Sequence, residues 1–135
     1  LRQLAEVPQV VALADGTILM GFELGGPNGL HVDDSGLFVA TFGSGELFRV
    51  TPHGERLQLL PPSEMGLDGV VSLGEEGVLV SSWGGSAVYW IQPDGTVQPL
   101  VEDVEAPADL GFDFGRRRVL IPHFLTNELT IREVR

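Results

Sequence analysis

Cysteine and lysine are both absent from the sequence, so all eight basic residues are arginines. The lack of cysteine excludes disulfides and thiolate metal sites, and it leaves the redox compartment open. No apolar run reaches the roughly 18 residues that a membrane-spanning helix needs. The N-terminal stretch also lacks the charged, apolar and small-residue regions of a secretory signal. We therefore expect a soluble protein, cytoplasmic or periplasmic, with no membrane partner.

Positive charge is scarce as a whole, since the formal net charge is −11 at pH 7. A field of that sign repels phosphate backbones, so nucleic acid is excluded as a partner. Hydrophobic residues make up 43% of the chain, and a hydrophobic share of this size indicates a folded core rather than disorder. The 18 glycines are spread at regular intervals, which predicts many tight turns.

What the sequence does contain is an internal repeat. Equivalent positions recur about 41 residues apart, as in Asn28, Asp68 and Asp109, in Phe38, Leu79 and Leu120, and in Phe42, Trp83 and Phe124. Each repeat holds short apolar runs separated by glycine turns, such as LFVAT, ELFRV and RLQLL in the first. This period with short strands is typical of a four-stranded propeller blade.

The repeat predicts an all-β fold, a β-propeller of about three four-stranded blades, equivalent to half of a six-bladed ring. We interpret 1–135 as one partial propeller domain. Segment 1–24 is the end of a preceding blade, 25–61 and 62–102 are blades, and 103–135 is a blade lacking its last strand. Because a closed ring needs more blades, we expect a partner: the missing half of a longer chain, or a second copy forming a homodimer.

The first strand of each blade lines the central channel of a propeller, so equivalent positions there face one axis. Asn28, Asp68 and Asp109 share such a position at the start of the first strand. Their oxygens suit a divalent cation such as Ca²⁺. Asn-Gly and Asp-Gly are also ordinary turn dipeptides that need no ligand, which leaves a structural interpretation open for Asn28 and Asp68.

Other side chains are candidates for the same channel. His31 lies within the first strand of its blade and His123 at the end of the second strand of the last blade, where each could act as acid, base or ligand or simply pack through hydrogen bonds. Phe42, Trp83 and Phe124 could wall a pocket mouth or pack between blades. No motif for a serine nucleophile, a zinc protease or a phosphate loop is present.

The segments PNGLHVDDSGLFVAT, LDGVVSLGEEGVLVSS and APADLGFDFGRRRVLIPHFLTNEL carry a family resemblance. Over about residues 14–134 the chain resembles the C-terminal half of the gluconolactonase, senescence marker protein and luciferin-regenerating enzyme family, which are six-bladed propellers. NHL repeat proteins and the strictosidine synthase-like group share part of this pattern.

The resemblance implies a calcium-dependent, lactonase-like hydrolase of small lactones or sugar acids. It implies that Asn28 and Asp68 are metal ligands, that Asp68 is also the general base, and that Asp109 shapes the pocket or contacts the substrate. The family's Glu ligand and a further Asn ligand fall in earlier blades, outside the matching stretch. Two alternatives stay open: a non-catalytic NHL-like propeller that binds a protein or a small ligand, and a purely structural half-propeller.

Overall fold

The computed structural model of the chain describes residues 10–12, 18–20 and 25–135. These residues form thirteen strands and one turn of 3-10 helix at Gly74–Glu76. The strands are β1 Val10–Ala12, β2 Ile18–Met20, β3 Pro27–Asp33, β4 Gly36–Thr41, β5 Leu47–Val50, β6 Arg56–Leu60, β7 Leu67–Ser72, β8 Val78–Ser82, β9 Ala87–Ile91, β10 Val97–Val101, β11 Gly111–Asp113, β12 Arg118–His123 and β13 Glu128–Glu133.

The strands after residue 25 build three antiparallel sheets, each joined in chain order. The first sheet is β3-β4-β5-β6, the second is β7-β8-β9-β10, and the third is β11-β12-β13. The predicted all-β propeller fold is confirmed by this arrangement. Most of the predicted preceding blade at 1–24 lies outside the described residues, although β1 and β2 do pair antiparallel. No helix in the described parts of the chain is long and apolar enough to cross a membrane.

Alternation along each strand sends side chains to opposite faces of a sheet, and both faces of the first two sheets are apolar. In β5, Leu47 joins the core between the first and second sheets, whereas the adjacent Phe48 packs on the other face of the first sheet. Both side chains are essentially fully buried. In the second sheet, neighbouring sheets cover both faces, which is why its strands are apolar on both sides.

Two apolar cores hold the three sheets together. The core between the first and second sheets includes Phe38, Leu47, Val78 and Ile91. The core between the second and third sheets includes Leu79, Val88, Val119 and Ile121. Burial of each such side chain stabilises the fold by roughly 1.5–3 kcal/mol before entropic costs.

The first strands of successive sheets, β3 and β7, run beside one another along most of their length. This is the innermost position in a propeller, and it brings the beginnings of the first strands together at one end of the molecule. The turns between the second and third strands of each sheet lie at that same end. The turns that follow the first and third strands lie at the opposite end.

Candidate functional site

Each of the first two inner strands carries a β-bulge close to its beginning. The register shifts between Pro27 and Leu30 in β3 and between Leu67 and Val70 in β7. Asn28 and Asp68 therefore lie at equivalent irregularities rather than in the regular ladder. A bulge re-aims a side chain and interrupts pairing, and such features concentrate near functional sites.

Asp109 occupies the corresponding place in the third sheet, but outside a strand. It follows an isolated bridge between Pro107 and His123 and precedes β11, which begins only at Gly111. The prediction that Asp109 lies at the start of the inner strand is corrected to a position two residues before it. The repeat has Leu110 where the first two sheets have glycine, and regular pairing resumes one residue later.

Gly29 and Gly69 follow Asn28 and Asp68, and each lies against the next inner segment. A Cβ on Gly29 would come within 2.0 Å of the Asp68 carbonyl oxygen, and one on Gly69 within 2.4 Å of the Leu110 nitrogen. Only glycine allows the backbones to approach this closely. The two glycines thereby bring the three candidate residues into neighbouring positions.

Asp68 is the centre of this group. The indole Nε1 of Trp83 donates a hydrogen bond to Asp68 Oδ2 over 3.0 Å. Burial raises the pKa of Asp68 above its ordinary value and the charge of Asp109 raises it further, while hydrogen bonds from Trp83 and Asn28 partly offset the rise. The structure thus brings together Asn28, Asp68, Asp109 and Trp83, four of the residues that the sequence singled out.

Ser81, a residue that the sequence analysis did not select, ties two of these segments together. Its fully buried hydroxyl accepts a hydrogen bond from Gly69 N at 2.7 Å and donates one to Ala108 O at 2.8 Å. It therefore links the backbones next to Asp68 and Asp109. Its signal in the sequence was a polar residue at a repeat position that holds Ala40 in the first sheet.

An aromatic row borders the group. The rings of Phe42 and Trp83 meet edge to face with centroids 5.2 Å apart, and Trp83 and Phe124 lie 5.3 Å apart. Phe42 is 42% and Phe124 is 66% exposed, so the row lines the surface and is not a core between blades. The three rings thus contact one another across neighbouring sheets and also present an exposed apolar surface at this end of the molecule.

His31 lies beside residues other than Asp68. Its ring lies 6.5 Å from that of Phe38, and its charge helps to lower the pKa of Asp33 at the far end of β3. Among the described residues, no hydrogen bond, ion pair or ring contact joins His31 to Asp68.

The imidazole of His123 contacts polar side chains of the third sheet. Its Nε2 lies 2.8 Å from the Thr130 hydroxyl, and its Nδ1 lies 3.8 Å from Glu128. It takes the repeat position of Thr41 and Ser82, whose buried hydroxyls form hydrogen bonds within the turns that follow them. This placement fits the packing alternative, in which the imidazole is held by hydrogen bonds.

The same residues carry the oxygen atoms that a cation would need. Asn28, Asp68 and Asp109 supply hard side-chain oxygens. Burial is the main cause of the raised pKa of Asp68 and the charge of Asp109 adds to it, and a bound cation would offset both effects. Within the described ranges, no group of three or more His, Cys, Asp or Glu side chains converges as a metal site. Asn28, Asp68 and Asp109 thus offer oxygen donors of the kind that a divalent cation binds, but these described residues do not complete a metal site by themselves.

No family model matches the chain, and no curated protein matches it either. Solved structures do. A streptogramin B lyase matches with a TM-score of 0.61 and 14% identity, covering 90% of this chain and 46% of its own. Virginiamycin B lyase from Staphylococcus aureus matches with a TM-score of 0.60 and 13% sequence identity. The match covers 93% of this chain and 45% of that protein.

A catalytically inactive variant of the Staphylococcus aureus enzyme, solved with quinupristin, gives a TM-score of 0.63 at 12% identity. The match covers 93% of this chain and 48% of that protein. The chain thus spans about half the length of the structures it matches. At this identity the likeness concerns the fold, and it shows that the three sheets adopt the arrangement found in those proteins.

Proposed function

We propose that the end of the molecule bearing Asn28, Asp68 and Asp109 is the active site of a metal-assisted hydrolase of small lactones or sugar acids. The observation that carries the proposal is the setting of Asp68: a partly buried carboxylate with a raised pKa, held by Trp83 and Asn28 and facing a second carboxylate. Carboxylates perturbed in this way are concentrated at catalytic sites.

Asp68 serves as the general base in this proposal. A pKa above the ordinary carboxylate value makes Asp68 a stronger base than a free aspartate. Asp68 takes a proton from water as the water oxygen bonds to the acyl carbon. The bond between that carbon and the ring oxygen then breaks, and Asp68 returns the proton to the ring oxygen, which gives the hydroxy acid. The Trp83 hydrogen bond holds one carboxylate oxygen in place, so that the group keeps a fixed orientation.

A divalent cation, Ca²⁺ in the first instance, would be held by Asn28 and Asp68. When bound, it would polarise the lactone carbonyl as a Lewis acid. Asp109 is assigned to the substrate, because its carboxylate lies close enough to Asp68 to affect its pKa and can accept hydrogen bonds from sugar hydroxyls. The row of Phe42, Trp83 and Phe124 offers apolar ring faces for the carbon skeleton.

The site requires a further contributor. The part of the chain that the structure describes supplies three such oxygen-bearing side chains on neighbouring segments, fewer than the six to eight ligands that Ca²⁺ takes. The remaining part is a second copy or the other half of a longer chain. The matched lyases lend general support, since in them an enzyme occupies the same fold over about twice this length.

The test measures the rate at which the assembled protein hydrolyses γ- and δ-aldonolactones in the presence of calcium, with a pH-stat recording the acid released. Asp68→Asn should reduce the rate by about 10²–10⁴-fold, as expected for loss of a general base, and Asn28→Ala should abolish the thermal stabilisation by calcium. Asp94→Asn, in an exposed turn, is the matched control. Turnover that survives in Asp68→Asn, or no turnover with any lactone, would contradict the proposal.

A second candidate rests on the exposed aromatic row. Because Trp83 is anchored to Asp68 and contacts both Phe42 and Phe124, the three rings form a fixed recognition surface that needs no chemistry. A non-catalytic propeller of this kind would keep its ligand after Asp68→Asn, because the asparagine oxygen can still accept the Trp83 hydrogen bond, and would lose it after Phe124→Ala. Light scattering should accompany both tests, to distinguish one copy of 14.5 kDa from two.

A further inference from the structure

A cavity lies at the opposite end of the molecule from Asp68. It has a volume of about 710 Å³ and opens between the first and second sheets, beside the turns at Asp33–Ser35 and Gln92–Gly95. Its walls include Phe38, Val78 and Ile91, which also belong to the core between these sheets. The cavity is therefore a gap in an otherwise closed interface.

The interface between the second and third sheets has no such gap at the equivalent position, because a large side chain fills it. In the second sheet Trp90 pairs with Leu79, packs against the core shared with the third sheet, and donates its Nε1 proton to Glu76 O over 2.8 Å. In the first sheet the equivalent position, paired with Phe38, is Arg49. An arginine thus stands where an indole fills the second interface.

The residues at the mouth of the cavity also differ from those at the equivalent place in the second interface. In the second interface Arg117 makes a bidentate salt bridge to Glu76, with both N–O distances 2.8 Å. The repeat-equivalent residues in the first interface are Glu76 and Ser35, which cannot form an ion pair. The first interface therefore has neither the indole that fills the second interface nor the salt bridge that closes its mouth.

Arg49 itself is left without a partner at a buried atom. Its Nε is buried and has no hydrogen-bond partner, and no ion pair to Arg49 occurs among the described residues. The guanidinium carbon lies 5.9 Å from the centroid of the Phe38 ring, which holds the group against the cavity wall. An unpaired buried donor is costly, and each one in a native structure calls for an acceptor.

We propose that this cavity binds a small organic carboxylate with an apolar body, whose carboxylate accepts hydrogen bonds from Arg49. The apolar body lies against Phe38, Val78 and Ile91. Planar bidentate recognition of a carboxylate is what a guanidinium provides. The site is independent of Asp68 and of the reaction proposed for it.

The acidic residues around the cavity narrow the choice of ligand. Asp33 accepts hydrogen bonds from Ser35 and Ser72, so its charge is already engaged within the fold. Asp34 and Glu75 are exposed lining residues and repel a small inorganic anion. A ligand with an apolar body gains the burial that offsets this repulsion, whereas phosphate or sulfate does not.

The experiment titrates the full chain with 3-phenylpropionate and, as the uncharged control of the same shape, 3-phenylpropanol. Amide chemical shifts are followed at Gly77 and Gly95 in the cavity and at Gly84 and Gly85 at the Asp68 end. We expect saturable shifts at Gly77 and Gly95 only, with the alcohol binding at least tenfold more weakly.

Two variants complete the test. Arg49→Trp copies the filling of the second interface and should weaken 3-phenylpropionate binding at least tenfold while the unfolding midpoint is kept or raised. Arg49→Gln removes the charge without filling the cavity and should weaken binding to a similar extent. Equal binding of the acid and the alcohol, unchanged binding in both variants, or no saturable shift in the cavity would overturn the proposal.

Discussion

The indole Nε1 of Trp83 lies 3.0 Å from Asp68 Oδ2, so the middle ring of an exposed aromatic row is bonded to the carboxylate at the inner edge of the same sheet. Through this bond the recognition surface and the acid–base group become one unit. A change in either residue should therefore be felt at the other.

The first prediction removes that bond and keeps a ring. Trp83→Phe takes away a donor that lowers the pKa of Asp68, so this pKa should rise further above its ordinary value. Carboxyl carbon NMR titration of Asp68 measures it. The matched control is Trp90→Phe, whose indole bonds Glu76 O at the other end of the molecule and should leave the Asp68 titration unchanged. An unchanged titration in Trp83→Phe would show that the bond does not form in solution.

The second prediction concerns the neighbouring carboxylate. Asp109→Asn removes a negative charge that raises the pKa of Asp68, so this pKa should fall toward its ordinary value. The same titration measures the shift, and Glu102→Gln, an exposed acid in the same loop region, is the control. A rise, or no change, would mean that the two carboxylates do not face one another.

The third prediction concerns Ser81. Ser81→Ala leaves Gly69 N and Ala108 O without their buried partner, which should lower the free energy of unfolding by about 1–3 kcal/mol. Chemical denaturation measures the loss. Thr126→Ala, which removes an exposed hydroxyl bonded to Glu128, should cost far less. Equal effects of the two variants would argue against a bridging role for Ser81.

The repeat predicted the propeller fold because the signal is redundant: apolar runs, glycine turns and paired positions all recur about 41 residues apart. It also predicted that Asn28, Asp68 and Asp109 share one position. It did not reveal the bulges that carry them, since a register shift depends on pairing between strands. Arg49 was missed for a similar reason: a charged residue in a strand looks solvent-facing until the neighbouring sheet is in place.

The fourth prediction tests the close approach at the inner strands. A Cβ at Gly29 would lie 2.0 Å from Asp68 O, so Gly29→Ala must push β3 and β7 apart and should cost about 1–3 kcal/mol or more. Gly111→Ala is the matched control, because its nearest atom would be Leu120 Cβ at 3.5 Å. Similar unfolding midpoints for the two variants would contradict the close packing described above.

The fifth prediction follows from Asp33, a residue outside the catalytic group. Burial raises its pKa, but hydrogen bonds from Ser35 and Ser72 outweigh burial and hold the pKa below its ordinary value of 3.8. Its stabilising effect is therefore present above pH 3.8 and is lost as the pH falls through the lower folded-state pKa.

Asp33→Asn should accordingly lower the free energy of unfolding at pH 7 by about 1 kcal/mol, and its difference from the unmodified protein should shrink in acid. Asp34→Asn, at the exposed neighbouring position, should show neither effect. Denaturation at a series of pH values measures both. A difference that grows in acid would reverse the assigned sign.

The second sheet packs on both of its faces, whereas the third sheet leaves one face open in the described part of the chain. Leu129 and Ile131, the repeat partners of Val88 and Trp90, are 56% and 48% exposed. In a linear array, the cooperativity of each unit depends on the neighbours it touches. In this chain by itself, β13 should therefore open at a lower free energy than β7 to β9.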